Sequence, residues 1–296
     1  MRDIPSISLS CHLPKQTTRF NMKTYSLLST VAIIGSFPFA STRTLNFVAH
    51  QDDDLLFLSP DLIRDILSGE PVRTVFLTAG DAGLGPDYWQ SREQGSLAAY
   101  ARMSIASNTW IQSDAGIDGS AITLYTLQDD QDISLAFMHM PDGNLDGTGF
   151  AADQNDSLEK LWDGLIDEIR TIDGSGTTYT KEELLQTIAA LIDDFEPDVV
   201  KTGDYVNDFG DGDHSDHYAT GYFVDNALQA SNSDANLIGY YGYPIQDMSV
   251  NLNDSDIEDK TNIFYEYAAY DTSTCSTADS CSSRPESAWL QREYQI

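Results

Sequence analysis

Positive charge is what this chain has least of. Its 296 residues carry 16 Lys and Arg against 47 Asp and Glu, a formal net charge of −31 at pH 7. A surface of that sign repels phosphate backbones and anionic headgroups, which makes nucleic acid and anionic lipid poor partners. No basic cluster interleaved with aromatics argues otherwise. Also missing are internal repeats, low-complexity linkers, a Ser or Cys nucleophile motif and a phosphate-cradling glycine loop. The stretch "GDGDHSDH" has glycines, but its acids would repel phosphate. What is present suffices for a core: 41% hydrophobic and 10% aromatic residues, enough for one large domain or two modest ones.

From Met22 the chain reads "MKTYSLLSTVAIIGSFPFAS", with one Lys, an apolar stretch over 27–39 and small residues at Ala40 and Ser41. That is the layout of a secretory signal peptide, and the apolar stretch is too short to span a bilayer comfortably. The expected organisation is a leader over 1–43, with Met22 as the true start, and one domain over 44–296. Cleavage near Ala40 leaves 12 basic against 46 acidic residues, a formal −34, and no segment able to stay inserted in a membrane. Cysteine fits export. Of three, Cys11 lies in the leader, and Cys275 and Cys281 stand six apart in a polar loop, which suits a local disulfide in an oxidising compartment. Sequons at Asn155 and Asn253 suit the same secreted, glycosylated route.

Along the mature chain, strand and helix patterns alternate. Strands are expected over 44–50, 72–80, 120–127, 133–140, 197–204 and 235–245. Helices are expected over 59–69, 87–105, 157–169, 180–195, 215–230 and 259–271. Thr180 and Glu183 form a capping box. Alternation of this kind predicts an α/β fold with a mostly parallel sheet.

Four histidines remain beyond the leader. His139 stands alone at a strand end and reads as a satisfied core or loop histidine. His50 lies in "AHQDDD", and His214 and His217 in "GDGDHSDHYATG". Both clusters directly follow a buried strand and lead into a helix, so both belong at the carboxyl end of the sheet. In a doubly wound sheet the first strand lies beside the strand after the reversal of order, and ligands bind in the crevice between their ends. Nitrogen plus carboxylate oxygen suits zinc, and two histidines with one carboxylate leave a catalytic ion one open position.

These residues resemble the zinc-dependent PIG-L/LmbE-like de-N-acetylases, whose pattern is His-Pro-Asp-Asp-Glu early and His-Xaa-Asp-His late. "TAGDAG" (78–83) is similar to the family's Thr-Xaa-Gly-Glu-Ala-Gly loop, "YWQSREQG" (88–95) carries its helix arginine, and "MPDGNLDGTG" (140–149) with the terminal cysteines looks like a secreted branch. The resemblance implies a three-layer Rossmann-like fold and removal of the acetyl group from an N-acetylated amino sugar or glycoconjugate. It implies His50, Asp53 and His217 as ligands of one zinc ion, Asp52 as general base, and His214 as the group that stabilises the oxyanion or protonates the leaving amine. Arg92 and Asp142 would contact the sugar. Asp54 and Asp216 would stand behind the ligands, Asp54 orienting its neighbours or capping the next helix. Gln51, Asp54 and Ser215 depart from the pattern, and none of them is an expected ligand or base.

Three other readings remain. Residues 142–153 match the calcium-loop template Asp-x-Asn-x-Asp-Gly, but a strand pattern precedes them where an EF-hand needs a helix. A metal-dependent phosphoesterase would need more ligands. A secreted carbohydrate-binding protein with a non-catalytic metal would leave Asp52 idle.

Overall fold

The structure, a computed structural model, describes residues 42–296. The expected signal peptide and the expected start at Met22 lie outside the described residues. The central sheet has seven strands in the order β3-β4-β5-β2-β1-β8-β9. They are β1 (Thr44–Val48), β2 (Val72–Thr78), β3 (Trp110–Asp114), β4 (Thr123–Leu127), β5 (Ile133–Met140), β8 (Val199–Thr202) and β9 (Asn236–Gly239). A separate two-stranded ribbon is formed by β6 (Ile169–Arg170) and β7 (Thr178–Tyr179). The run from β5 to β9 is parallel, while β3 and β4 add an antiparallel edge. The fold is therefore α/β with a mostly parallel sheet, as the alternation predicts.

Helices cover both faces. They are α1 (Asp53–Phe57), α2 (Asp61–Leu67), α3 (Pro86–Met103), α4 (Leu158–Trp162), α5 (Lys181–Phe195), α6 (Ser215–Ala230), α7 (Asp254–Ala268), α8 (Ala278–Cys281) and α9 (Glu286–Trp289). The strand period of two sorts side chains between two cores. Val72, Phe76, Leu135 and Phe137 face a core shared with Leu62, Leu97, Phe264 and Trp289. Leu45, Phe47, Val75, Leu77, Ala136 and Val200 face the other, with Leu184, Ile188, Leu191 and Phe223. Three layers follow from that sorting.

Thr180 caps α5 through the expected box with Glu183. The helix expected over 157–169 stops at Trp162. Gly164 takes φ +70 just beyond it, and the amides of Gly164 and Leu165 return to the carbonyls of Leu161 and Lys160, a left-handed helix stop. Asn253 caps α7 through the amides of Ser255 and Asp256, so this helix starts five residues before the expected position. Cys275 and Cys281 form a disulfide. Among the described residues no helix is long and apolar enough to cross a membrane.

Gly95, in the middle of α3, lets α7 approach closely. A Cβ there would sit 2.8 Å from both the Tyr267 ring and its carbonyl oxygen. On an exposed helix, Gly→Ala stabilises by about 0.5–1 kcal/mol. Here overpacking reverses the sign, and Gly95→Ala is expected to destabilise by roughly 1–3 kcal/mol in denaturant titration. A stabilised variant would show that α3 and α7 are not in this contact.

Candidate metal and catalytic site

The parallel pairing of β1 with β8, in register Thr44↔Val199, sets their carboxyl ends side by side. Strand order runs one way from β1 through β2 to β5, and the other way from β8 to β9. The residues after β1 and β8 therefore share the crevice at the reversal point, and His50 meets His214 and His217 there.

Asp53 links the two halves. Its Oδ2 accepts the His50 backbone amide at 2.7 Å and lies 3.2 Å from His50 Nδ1, while its Oδ1 lies 3.0 Å from His217 Nε2. That Nε2 is buried, and despite its nearness to Asp53 it makes no hydrogen bond of acceptable angle. The ring is instead fixed through Nδ1, 2.8 Å from Asp213 Oδ1. His50 is held likewise, with Nε2 3.2 Å from Asp216 Oδ2 and Nδ1 left toward Asp53. A carboxylate behind each imidazole and a free nitrogen in front is how proteins present histidine to a metal. Asp53 reaches the two histidines through different oxygens, Oδ2 toward His50 and Oδ1 toward His217. Imidazole nitrogens backed by carboxylates fit a divalent transition metal. His214 is also close: His50, His214 and His217 each bring a ligand atom within 4.8 Å of the others, as do His50, Asp142, His214 and Asp216.

His214 is the N-cap of α6, and its Nδ1 accepts the Asp216 amide at 3.1 Å. A neutral ring must then carry its proton on Nε2, which lies 3.7 Å from Asp142 Oδ1. Burial and the neighbouring His50 push His214 down to about 4. Burial would also depress His217, but Asp53 and Asp213 outweigh it and raise this group to about 10. Asp53 responds in the opposite direction: burial favours its neutral form, but His217 and His50 hold it well below the usual carboxylate range. Burial raises Asp52 to about 6 against the opposing pull of Arg92.

Asp52 is the N-cap residue of α1 and makes no side-chain cap. Its Oδ1 accepts Arg92 Nη2 at 2.7 Å, and its side chain is 19% exposed, the most open carboxylate of "DDD". Arg92 is buried and also donates to Gly80 O and Tyr267, so the expected sugar contact would have to use its remaining N–H groups. Asp142 sits between His50 and His214, its Oδ2 3.9 Å from His50 Nε2. Asp54 does not cap the helix that follows, α2, and its Oδ1 instead accepts the amide of its neighbour Leu55 at 3.0 Å. It lies inside α1 and is fully buried, and its Oδ2 accepts the Tyr100 hydroxyl at 2.6 Å. Tyr100 in turn meets Thr74, and Thr74 meets Asn46, a chain of buried polar groups from α1 through α3 to β2 and β1. Burial raises Asp54 to about 8 despite the Tyr100 bond.

The calcium-loop template does not assemble. Asp142 turns to the histidines, while the exposed Asp146 accepts from Thr148. His139 is buried against Trp89 with Nε2 2.7 Å from Glu93, a paired core histidine. Sequence reasoning missed Asp213, Tyr243, Tyr267 and Asp271. Asp213 stands four residues before His217, a spacing that could have flagged it. Tyr243 packs edge-on to His217 at 5.1 Å and stacks on Trp289 at 4.7 Å, and no motif marks it.

Residues 45–228 match the PIG-L family, described as GlcNAc-PI de-N-acetylase. No curated protein sequence matches the chain. Among solved structures it is similar to N,N'-diacetylchitobiose deacetylase from Pyrococcus horikoshii in complex with an inhibitor, at 13% identity over 84% of this chain and 76% of that one, TM-score 0.46. The zinc-inhibited form of the teicoplanin deacetylase Orf2 shares 17% identity over 77% and 84%, TM-score 0.42. The hydratase GalB from Pseudomonas putida KT2440 shares 10% over the same coverage, TM-score 0.42. At these identities the likeness is one of fold.

Zinc takes only an unprotonated ring nitrogen, so below pH about 10 its binding must expel the His217 proton. Calorimetry at pH 8 in buffers of different ionisation enthalpy is expected to show proton release, with affinity tightening about tenfold per pH unit and per proton. In the metal-free protein, a raised imidazole stabilises fully below its ordinary value and loses that contribution as pH climbs through about 10. The metal-free melting temperature should therefore fall over the range where zinc binding strengthens. Separately, Asp213→Asn is expected to weaken zinc about 10–100-fold while the protein stays folded; unchanged affinity would remove Asp213 from the site.

Proposed function

We propose that this chain, which belongs to the PIG-L family, is a secreted zinc-dependent hydrolase that removes the acetyl group from an N-acetylated amino sugar or glycoconjugate. The observation that carries the reading is the division of labour between Asp52 and Asp53. Asp53 stands between His50 and His217, whereas the adjacent Asp52 turns to Arg92 and solvent. A binding protein has no use for a second carboxylate held off the histidines, and a hydrolase does.

Zinc held by His50, Asp53 and His217 would polarise the amide carbonyl and acidify a water in the crevice. Asp52, at about 6, is ionised at neutral pH yet basic enough to take a proton from the attacking water. Arg92 fixes its Oδ1, which leaves Oδ2 for that proton. His214, at about 4, is neutral at pH 7 and presents Nε2–H to the crevice. That state suits hydrogen-bond donation to the developing oxyanion better than delivery of a proton as imidazolium. The proton taken by Asp52 can then pass to the leaving nitrogen, which gives acetate and a free amine. Asp142, buried between His50 and His214, borders the same space and can orient a sugar hydroxyl. The Cys275–Cys281 bond supports the extracellular assignment, since such bonds persist in oxidising compartments.

The deciding measurement is acetate release from a panel of N-acetylated amino sugars, free, polymeric and lipid-linked, with and without chelator. Asp52→Ala is expected to cut release by about 10²-fold or more while keeping the metal. Unchanged release in that variant would remove Asp52 as the base. Stoichiometric zinc with no acetate from any amide would support a binding protein, and phosphate release from esters would support a phosphoesterase.

A further inference from the structure

Beyond residue 228, where the family match ends, the chain still sends side chains into the site. The most buried are Tyr267, near the end of α7, and Asp271 just after it, at 0% and 5% exposure. Asp271 Oδ2 accepts the Tyr267 hydroxyl at 2.7 Å and lies 3.1 Å from Arg92 Nε, which itself donates to the Tyr267 oxygen at 2.7 Å. The other oxygen, Oδ1, accepts the Ser273 amide at 2.8 Å and the Tyr88 hydroxyl at 3.1 Å. Asp52 alone would neutralise Arg92, so Asp271 adds a second buried carboxylate that charge balance does not require. Burying an extra charge is costly, and three donors and the Arg92 cation converge to satisfy this one.

A guanidinium is a rigid planar fork, so fixing its edges fixes its plane. Tyr267 and Asp271 hold the Nε edge, and Gly80 O holds Nη1 at 2.5 Å, which leaves Nη2 directed at Asp52 Oδ1. We infer that Tyr267 and Asp271 are positioning residues for Asp52, acting through Arg92, so that the segment after the family-matched residues sets the orientation of the base. This inference rests on reading Asp52 as the base. Neither residue faces the histidines, and neither is offered as a catalytic group.

The test is a double-mutant cycle in the full-length zinc-loaded protein. Asp271→Asn and Tyr267→Phe are each expected to lower kcat for acetate release about tenfold, with KM within about twofold and zinc content unchanged. In the residual activity of Asp52→Asn, neither should lower kcat further. Equal losses in both backgrounds would overturn the inference, because the two residues would then act independently of Asp52. If Asp271→Asn does not fold, Tyr267→Phe, which deletes one oxygen, carries the same cycle. A second readout does not depend on turnover. The Arg92 Nε–H resonance of 15N-labelled protein, assigned with Arg92→Lys, should exchange with water faster in both variants, and unchanged exchange would refute the lock. Should wild type release no acetate from any amide, the proposed activity fails, while the resonance still decides whether Tyr267 and Asp271 hold the guanidinium.

Discussion

Asp53 held between His50 and His217 is the contact on which the crevice depends, because it draws together five buried or half-buried carboxylates that would otherwise repel. Asp52, Asp53, Asp142, Asp213 and Asp216 all border one space. Each has a positive or hydrogen-bonding counterpart: Arg92 for Asp52, two imidazoles for Asp53, the backbone of Asn144 for Asp142, and His217 and His50 for Asp213 and Asp216. Without metal, the charge between these acids has to come from protons on His50 and His217, which is why both imidazoles sit above their ordinary range although burial opposes it. A divalent ion supplies the same charge without those protons. Proton release would then link the metal-free and metal-bound states.

That geometry needs a sheet that reverses its order at β1 and β8. His50 and His217, the latter in the first turn of α6, are separated by more than half of the chain, yet the parallel register of these two strands makes them neighbours. Gly242, which follows β9, shows how tightly the site is closed from the third side. A side chain there would run into the Asp213 carboxylate and reach 2.7 Å from His217 Nδ1. The next residue, Tyr243, donates its amide to Asp213 Oδ1 at 3.0 Å. Support for His217 is thus built from three separate pieces of chain: the "DHSDH" turn, Asp53 of α1, and the loop after β9.

What the sequence made legible follows from how local each signal is. Strands β1, β2 and β5 are near-continuous apolar runs and were readable as buried parallel strands. Strand β3 was not, because "WIQSD" is an edge strand with four of its five residues exposed and carries no run to detect. Helix α4 was read too long although Gly164 stood in its path, since Leu165 and Ile166 continued the apolar period; Leu165 is in fact 71% exposed. The His and Asp clusters were legible because several ligand types fall within a few residues. Asp54 reads from the sequence as orienting its neighbours or capping the next helix, and its contact with Tyr100 is not legible there because Tyr100 is 46 residues away. Tyr243, Tyr267 and Asp271 reach the site only through tertiary packing, so nothing near them in sequence announces a role.

The same distinction separates two layers of the molecule. Residues 45–228 bring the histidines, most of the aspartates and Arg92 to the crevice, and the later segment adds contacts to His217, Asp213 and Arg92. Tyr243 stacks on Trp289, whose indole donates to the Tyr243 carbonyl at 3.2 Å, and Trp289 packs against Phe57 of α1. The buried Lys260 ties α7 to this region through the carbonyls of Trp289 and Arg292. Side chains on α1 and α3 are therefore backed by groups that arrive last in the chain. Sequence change in that last segment can alter how Asp52 is presented while every residue of the His and Asp motifs stays in place. In this protein, the groups proposed to react lie within residues 45–228, and part of what orients them lies after those residues.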